Sequence, residues 1–173
     1  MKFEEFRRLA AKKPVFTPDD LHISGRAAGH EFVQLCKWAK EGRIIRIRKG
    51  LYTLPDSERK VPLSLLWLAN RIYEPSYISL EYALSHYDLI PEAAGAVTSV
   101  STRKSKAFST PLAEYRYSTL KKDDFFGFVS VQVSEGPQCW MATPEKAVAG
   151  IKNGATVVVG MDNAEPPALA MHK

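Results

Sequence analysis

The chain has 173 residues, of which 45% are hydrophobic and 25% charged, and its net charge is +5. These values are typical of a folded protein with one ordinary domain or two small ones, and they exclude disorder throughout the chain. No window approaches the roughly 20 apolar residues of a membrane-spanning helix, so we expect a cytoplasmic protein that does not bind membranes. The two cysteines, Cys36 and Cys139, indicate neither a disulfide framework nor a zinc site, and we expect buried free thiols.

The positive charge is concentrated in the first third of the chain. Residues 1–60 contain 14 Lys and Arg against 8 Asp and Glu, whereas residues 61–173 contain 10 against 11. A basic segment followed by a nearly neutral one is typical of a polyanion-binding domain joined to a domain with another role. A solvated, lysine-rich surface is the alternative.

Two helices are predicted before residue 26. The segment KFEEFRRLAAKK has apolar residues at helical spacing and predicts a first helix, which ends before Pro14. In VFTPDDL, Thr17 is a suitable N-cap and Pro18 a suitable first helical residue. This second helix should be short, because Gly25 follows soon after.

A third helix is predicted from Arg26 to a stop at Gly42. Its apolar stripe consists of Phe32, Leu35, Cys36 and Ala39. The opposite face carries four side chains that can bond base edges or phosphates, as in a recognition helix: Arg26, His30, Gln34 and Lys37. A solvated helix face is the alternative, and for His30 a capping role is another.

A basic β-hairpin follows this helix. The runs RIIRIR and LYTL have strand composition, and Lys49 and Gly50 form a two-residue loop between them. Alternation places Ile45 and Ile47 on the face towards the helices and Arg46 and Arg48 on the other face. Three helices followed by a basic hairpin is the order of a winged helix.

The cations of the hairpin are predicted to neutralise DNA phosphates, which drives binding by releasing counterions. They are Arg43, Arg46, Arg48 and Lys49. Sequence choice would then depend on Arg26, His30 and Gln34. We expect Trp38 and Tyr52 to pack between the third helix and the hairpin.

The rest of the chain alternates between helical and strand patterns. DSERK, residues 56–60, has the composition of a polar linker, and PLSLLWLANRIY predicts an apolar helix that begins at Pro62. SYISLEYALSHYDLIP predicts a strand and then a helix stopped by Pro91, with Leu80, Ala83, Leu84 and Tyr87 on its apolar face. Strands are predicted in AVTSVST, AEYRYST, FFGFVSVQV and QCWMA, and Thr143 and Pro144 begin a last helix.

We therefore predict an α+β protein: a winged helix-turn-helix in residues 1–58, a mixed α+β domain in residues 59–150, and an atypical tail in residues 151–173. One basic cluster of the second domain, Arg103, Lys104 and Lys106, follows a predicted strand. It could extend the DNA footprint, meet an acidic partner or form an ordinary solvated loop.

The motifs of common enzyme classes are missing from the sequence. Ser85 and His86 are neighbours on a predicted helix and would point about 100° apart, so they do not form a nucleophile–base pair. There is no G-x-S-x-G elbow, no Walker loop and no G-x-G-x-x-G motif. The carboxylates are too scattered to hold catalytic metals. We expect no catalytic residue, metal or cofactor. The alternative from this class is a nucleic-acid-processing enzyme that docks through a winged helix.

Several motifs in order resemble the AbiEi-type antitoxins, the regulators of type IV toxin–antitoxin systems. They are KEGRIIRIRKGLYTLP, YISLEYALSHYDLIPE, VTSVSTRKS, FFGF and ATPEKAV, and they span about residues 3–150. The resemblance implies a winged helix that binds repeats in its own promoter, through Arg26, His30, Gln34, Lys37, Arg46, Arg48 and Lys49. It also implies a second domain that counters a nucleotidyltransferase-like toxin without a stable complex.

The tail departs from this family pattern. After TPEKAV the sequence turns Gly-, Ala- and Pro-rich, which predicts an unfolded end or a truncated or altered one. Such a tail puts the antitoxic activity in question more than the DNA binding. A transcription factor of the same architecture whose second domain senses a ligand is the remaining alternative.

Overall fold

The computed structural model describes residues 2–20, 29–132 and 136–152. It is a mixed α+β fold, as predicted, with helices and a small hairpin at the N-terminus and a six-stranded sheet in the C-terminal part. Arg26 and residues 153–173 lie outside the described residues, and so does the side chain of His30. No helix in the described part of the chain is long and apolar enough to cross a bilayer.

In the N-terminal part, the described residues form two helices and the predicted hairpin. Helix α1 is Phe3–Ala10, helix α2 is Gly29–Lys40, and strands β1 and β2 are Ile45–Arg48 and Leu51–Thr53. Of the predicted second helix, the described residues show a 3-10 turn at residues 18–20. Phe16 and Tyr52 form an isolated antiparallel bridge, with N–O distances of 2.9 and 3.0 Å, that the sequence did not reveal.

Asp20 holds the 3-10 turn in place. Its carboxylate accepts from the backbone N–H of Thr17 at 2.7 Å and pairs with the ammonium of Lys13. Burial acts to raise the pKa of this carboxyl, but Lys13 and the Thr17 N–H outweigh burial and hold the pKa below its usual value. The short turn is therefore fixed by charge and hydrogen bonding, whereas the longer helices are fixed by apolar packing.

The C-terminal part is one sheet with three helices. Its elements are α3 (Leu65–Ile72), β3 (Ser76–Ile78), α4 (Leu80–His86), β4 (Val97–Ser101), β5 (Lys106–Ser109), β6 (Glu114–Thr119), β7 (Phe128–Val131), β8 (Cys139–Ala142) and α5 (Pro144–Lys152). The strand order is β5-β6-β4-β3-β8-β7. The β4–β6 and β3–β8 pairs are parallel and the other neighbours antiparallel.

The predicted strands β3, β4, β6, β7 and β8 are all present, but two helix ends differ from the prediction. Helix α3 begins at Leu65 because Ser64 caps it, accepting from the N–H of Trp67 at 3.2 Å, so Pro62 lies before the helix. Helix α4 ends at His86, well before Pro91. Strand β5 was not predicted. Its first residue, Lys106, belongs to the basic cluster, for which a solvated loop was one of the interpretations.

The segment 56–60 is built into the fold and is not a free linker. Asp56–Glu58 forms a 3-10 turn. The side chain of Arg59 is only 8% exposed, pairs with Asp56 and donates to the carbonyl of Leu54 at 2.9 Å. The N–H of Lys60 donates to the carbonyl of Ala11 at 2.9 Å. These contacts tie the connection to the N-terminal part.

Two clusters of buried apolar side chains divide the molecule, and the hairpin contributes to both. The N-terminal cluster contains Phe6, Leu35, Trp38 and Tyr52 among others. The C-terminal cluster contains the sheet and helix residues but also Val15, Ile47 and Leu51. The apolar side of the hairpin was predicted to face the helices alone, and this was incomplete, because Ile47 and Leu51 pack with the C-terminal core.

The two thiols differ in burial. Both thiols were predicted to be buried. Cys139 in β8 is buried as predicted, whereas Cys36 on α2 is half-buried. Burial raises the pKa of Cys139 to about 11, which leaves roughly one thiolate in a thousand at pH 8.

We expect a thiol reagent at pH 8 to label Cys36 in the folded protein and to reach Cys139 only after denaturation. Labelling followed by peptide mass analysis measures this, with Cys36→Ser as the control that isolates Cys139. Fast labelling of Cys139 in the folded state would show that β8 is open to solvent.

Candidate nucleic-acid interface

The hairpin presents its cations at a tight turn. Lys49 and Gly50 form the turn, and Gly50 has φ of +79°, a value that L side chains rarely adopt. The pairing shifts register between Arg46 and Arg48, which places Ile47 at a bulge. Ile47 is 4% exposed, whereas Arg46 and Arg48 are exposed, so the bulge keeps the apolar side chain inward.

Three exposed cations therefore cluster at the hairpin tip: Arg46, Arg48 and Lys49. The guanidinium of Arg48 donates to the carbonyl of Lys49 at 3.2 Å, which orients it along the turn. Like charges held close together on a rigid turn favour a polyanion as partner. We call this group the wing tip.

Arg43 and Lys37 are placed differently from the wing tip. The Nε of Arg43 lies 3.1 Å from Glu41, and the guanidinium stands 5.1 Å from the ring of Phe3. The ammonium of Lys37 lies 4.0 Å from the same carboxylate. Exposed pairs of this kind contribute only about 0–1 kcal/mol, so both cations can turn to a phosphate, but Glu41 offsets part of their charge.

The exposed side of α2 is rotated relative to the predicted one. Its buried side carries Glu31, Leu35 and Trp38, whereas Phe32, Cys36 and Ala39 are half-buried. Gln34 is half-buried at the margin of the exposed side.

Val33 and Lys40 are exposed on the same side of α2 as Lys37, and the sequence reading missed both. Val33 is 66% exposed, which is unusual for a branched apolar residue. The spacing 33, 37 and 40 places the three residues on one face, and this spacing could have revealed them. An apolar side chain at such a position suits the methyl group of thymine.

Tyr52 joins α2 to the hairpin. Its hydroxyl lies 3.7 Å from the Sγ of Cys36, and burial, followed by the Cys36 thiol, raises the pKa of Tyr52 to about 12. The charge of Arg46, the residue that pairs with Tyr52 across the hairpin, opposes this rise. Tyr52 thus packs between helix and hairpin as predicted. Trp38 belongs to the same buried cluster as Tyr52 and stacks on Phe6 of α1, with ring centroids 4.7 Å apart.

A second group of cations lies at the edge strand β5. Arg103, Lys104 and Lys106 are all exposed, and we call them the edge patch. The guanidinium of Arg103 stands 4.3 Å from the ring of Tyr73, and the ammonium of Lys106 stands 5.0 Å from the ring of Phe108. Aromatic rings thus support two of the three cations.

Tyr117 completes the aromatic group behind the edge patch. The ring of Tyr117 contacts Tyr73 and Phe108, with centroids 5.1 and 5.8 Å apart. Burial raises the pKa of the Tyr117 hydroxyl, and the charge of Arg48 opposes the rise. The sequence predicted the cations but not this aromatic support.

Acidic, histidine and cysteine side chains are dispersed in the described part of the chain. Within residues 2–20, 29–132 and 136–152, no three His, Cys, Asp or Glu side chains are grouped as metal ligands would be. Ser85 is half-buried and His86 is exposed at the end of α4.

The order of helix α1, the 3-10 turn at residues 18–20, helix α2 and a basic hairpin is that of a winged helix-turn-helix, a class of DNA-binding module. Residues 4–55 match the family described as transcriptional regulator, AbiEi antitoxin. This match confirms, over the N-terminal segment, the resemblance to AbiEi-type antitoxins that the motifs indicate. A search of curated proteins finds no match to the chain.

Proposed function

We propose that the chain is a DNA-binding antitoxin that represses its own operon in the cytoplasm and counters a nucleotidyltransferase-like toxin, as part of phage defence. Residues 1–58 form the DNA-binding domain and residues 59–150 the domain that opposes the toxin, without a stable complex. The family match at residues 4–55 supports the regulatory part. The toxin-directed part rests on the motifs beyond residue 55.

The observation that carries the proposal is the pairing of an exposed helix face with the wing tip. Arg46, Arg48 and Lys49 are exposed on a hairpin that Tyr52 joins to α2. In a winged helix the recognition helix enters the major groove, and cations beside it bind the phosphates that flank the groove. In our proposal Gln34, with Arg26 and His30, reads the operator, and Lys37 and Arg43 contact its backbone.

The edge patch extends this footprint along the duplex. Its three cations are exposed, and in our proposal a DNA backbone that leaves the wing tip reaches Arg103 and Lys106. Each further phosphate neutralised adds to affinity and to its salt dependence without adding sequence preference.

Gln34→Ala should change sequence preference as well as affinity. If the carboxamide reads a base, its loss changes discrimination at one base pair by about 1–3 kcal/mol. Competition gel shifts with operator variants measure the change, and Glu5→Ala on the exposed surface of α1 is the control. An equal loss of affinity for operator and random duplexes would show that Gln34 does not read a base.

The regulatory and toxin-directed roles are tested together in cells. A reporter driven by the upstream region should be repressed by the chain and released by the triple variant Arg46→Ala, Arg48→Ala, Lys49→Ala. When the toxin gene of the proposed operon is expressed, co-expression of either the wild-type chain or the triple variant should restore growth. The wing tip is proposed to serve DNA binding and not the antitoxic role. Toxicity unrelieved by the wild-type chain would refute the antitoxin role and leave a repressor.

A further inference from the structure

An aromatic cleft lies between α3 and the β7–β8 hairpin, away from α2. Its volume is about 470 Å³, which is within the usual range for small-ligand sites. Four aromatic side chains line it: Trp67, Phe125, Phe128 and Trp140. Trp140 is 49% exposed, although a side chain of this size ordinarily buries most of its surface.

The rings are fixed in position by contacts behind them. The side chain of Asn70 accepts from the N–H of Trp140 at 2.8 Å and donates to its carbonyl at 3.3 Å, so α3 holds β8 at this point. Phe128 stacks on Tyr77 with centroids 4.6 Å apart and meets Trp140 edge to face at 5.7 Å. The aromatic surface is therefore preformed.

Polar groups stand at the rim of the cleft. Arg71 lies 5.8 Å from the ring of Trp67 and 2.7 Å from the carboxylate of Glu74. Gln138 accepts from the hydroxyl of Ser130 at 2.7 Å through its amide oxygen, which leaves its amide nitrogen to donate to a ligand. Arg103 donates to the carbonyl of Glu74 at 3.3 Å, so the edge patch begins where the cleft ends.

We propose that this cleft binds an unpaired base of a single-stranded nucleic acid, with the adjoining phosphates on Arg71 and Arg103. Flat aromatic rings beside a cationic strip are the two elements that single-strand sites combine: bases stack on the rings and the backbone follows the cations. The amide of Gln138 supplies a donor for a base edge.

Charge favours this occupant over an apolar peptide. Among the described residues that line the cleft, Glu74 carries the one carboxylate, and Arg71 pairs with it. Arg103, Lys104 and Lys106 then continue the surface. The aromatic rings of the cleft lie outside the proposed duplex-binding surface, although the two surfaces share Arg103. Stacking on these rings needs a base that has left its partner strand.

Trp140→Ala tests the proposal in the full chain. The probes are fluorescently labelled 12-mers of deoxythymidine and of uridine, with anisotropy as the measurement. We expect Trp140→Ala to weaken binding about tenfold, since one base–ring contact is lost, and Trp140→Phe to weaken it less than about threefold. Leu89→Ala, an exposed apolar residue at 47% exposure, should leave affinity unchanged.

Arg71→Gln tests the phosphate contact against a matched control. Arg116 also pairs with a nearby glutamate, Glu114, at 3.3 Å, so Arg116→Gln removes the same charge elsewhere on the sheet. Arg71→Gln should weaken 12-mer binding several-fold more than Arg116→Gln does. Tighter binding of the uridine 12-mer would identify RNA as the ligand and tighter binding of the deoxythymidine 12-mer would identify DNA.

The proposal is overturned if Trp140→Ala binds the 12-mers as tightly as the wild type and the control Leu89→Ala do. It is also overturned if an uncharged aromatic peptide binds the cleft and the 12-mers do not compete with it. Thermal unfolding of each variant shows that it is folded at the assay temperature. Binding to the promoter duplex should stay within twofold for all of them. Failure here therefore leaves the proposed repressor role intact.

Discussion

Replacing Arg46, Arg48 and Lys49 together with alanine should weaken binding to promoter DNA and flatten its dependence on salt. If helix and wing neutralise ~6 phosphates, the wild-type affinity falls about a thousandfold between 50 and 200 mM salt, since each phosphate contact adds roughly 0.9 to the logarithmic slope. Removing three contacts should reduce this fall to about fortyfold. Gel-shift titrations at four or more salt concentrations give both slopes.

A triple variant of equal charge change serves as the control. Arg116, Lys121 and Lys122 are exposed cations in or after β6, outside the wing tip and the edge patch. Their replacement should keep most of the wild-type slope. If the two triple variants show the same slope of log affinity against log salt, the wing tip contacts DNA no more than other surface cations do. The protein would then bind DNA through its net charge alone.

Leu51→Ala should destabilise the C-terminal core as well as the hairpin. Leu51 is 3% exposed and packs in the C-terminal apolar cluster, and truncation of a buried leucine costs about 2–5 kcal/mol of the free energy of unfolding. Because Ile47 and Leu51 belong to that core, we expect the two parts of the chain to unfold in one transition. Urea denaturation followed by tryptophan fluorescence measures it.

The tryptophans report both regions, since Trp38 lies in the N-terminal cluster while Trp67 packs against the C-terminal one. Leu54→Ala, at 1% exposure in the N-terminal cluster, should shift the same transition, and Leu89→Ala should change stability by less than about 0.5 kcal/mol. Two separate unfolding transitions would contradict this expectation. If Leu51→Ala then shifted only the transition reported by Trp38, the hairpin and the sheet would be energetically independent.

Local patterns predicted most elements because each was defined by its own residues. The glycine turn at Gly50, the stop at Gly42 with φ of +71°, and the cap at Thr143, which accepts from the N–H of Lys146 at 3.3 Å, all depend on local backbone geometry. Strand β5 was missed because an edge strand with Lys106 at its start shows no apolar alternation. Its pairing with β6 is a property of the sheet.

The candidate site was predicted in its charges but not in its packing. The exposure of Arg46, Arg48 and Lys49 follows from strand alternation. The exposed side of α2 could not be placed in the same way, because stacking of Trp38 on Phe6 depends on α1, which is distant in sequence. For the same reason the contact of Leu51 with the C-terminal core could not be predicted from the hairpin alone.

The central claim is that the chain recognises its own upstream DNA. A gel-shift titration on the upstream duplex and on a scrambled duplex, each at 50 and 200 mM salt, tests it most directly. We predict preferential binding to the upstream duplex at both concentrations and a fall of about a thousandfold in affinity between them. Equal binding to the two duplexes, or binding that salt does not weaken, would contradict the account.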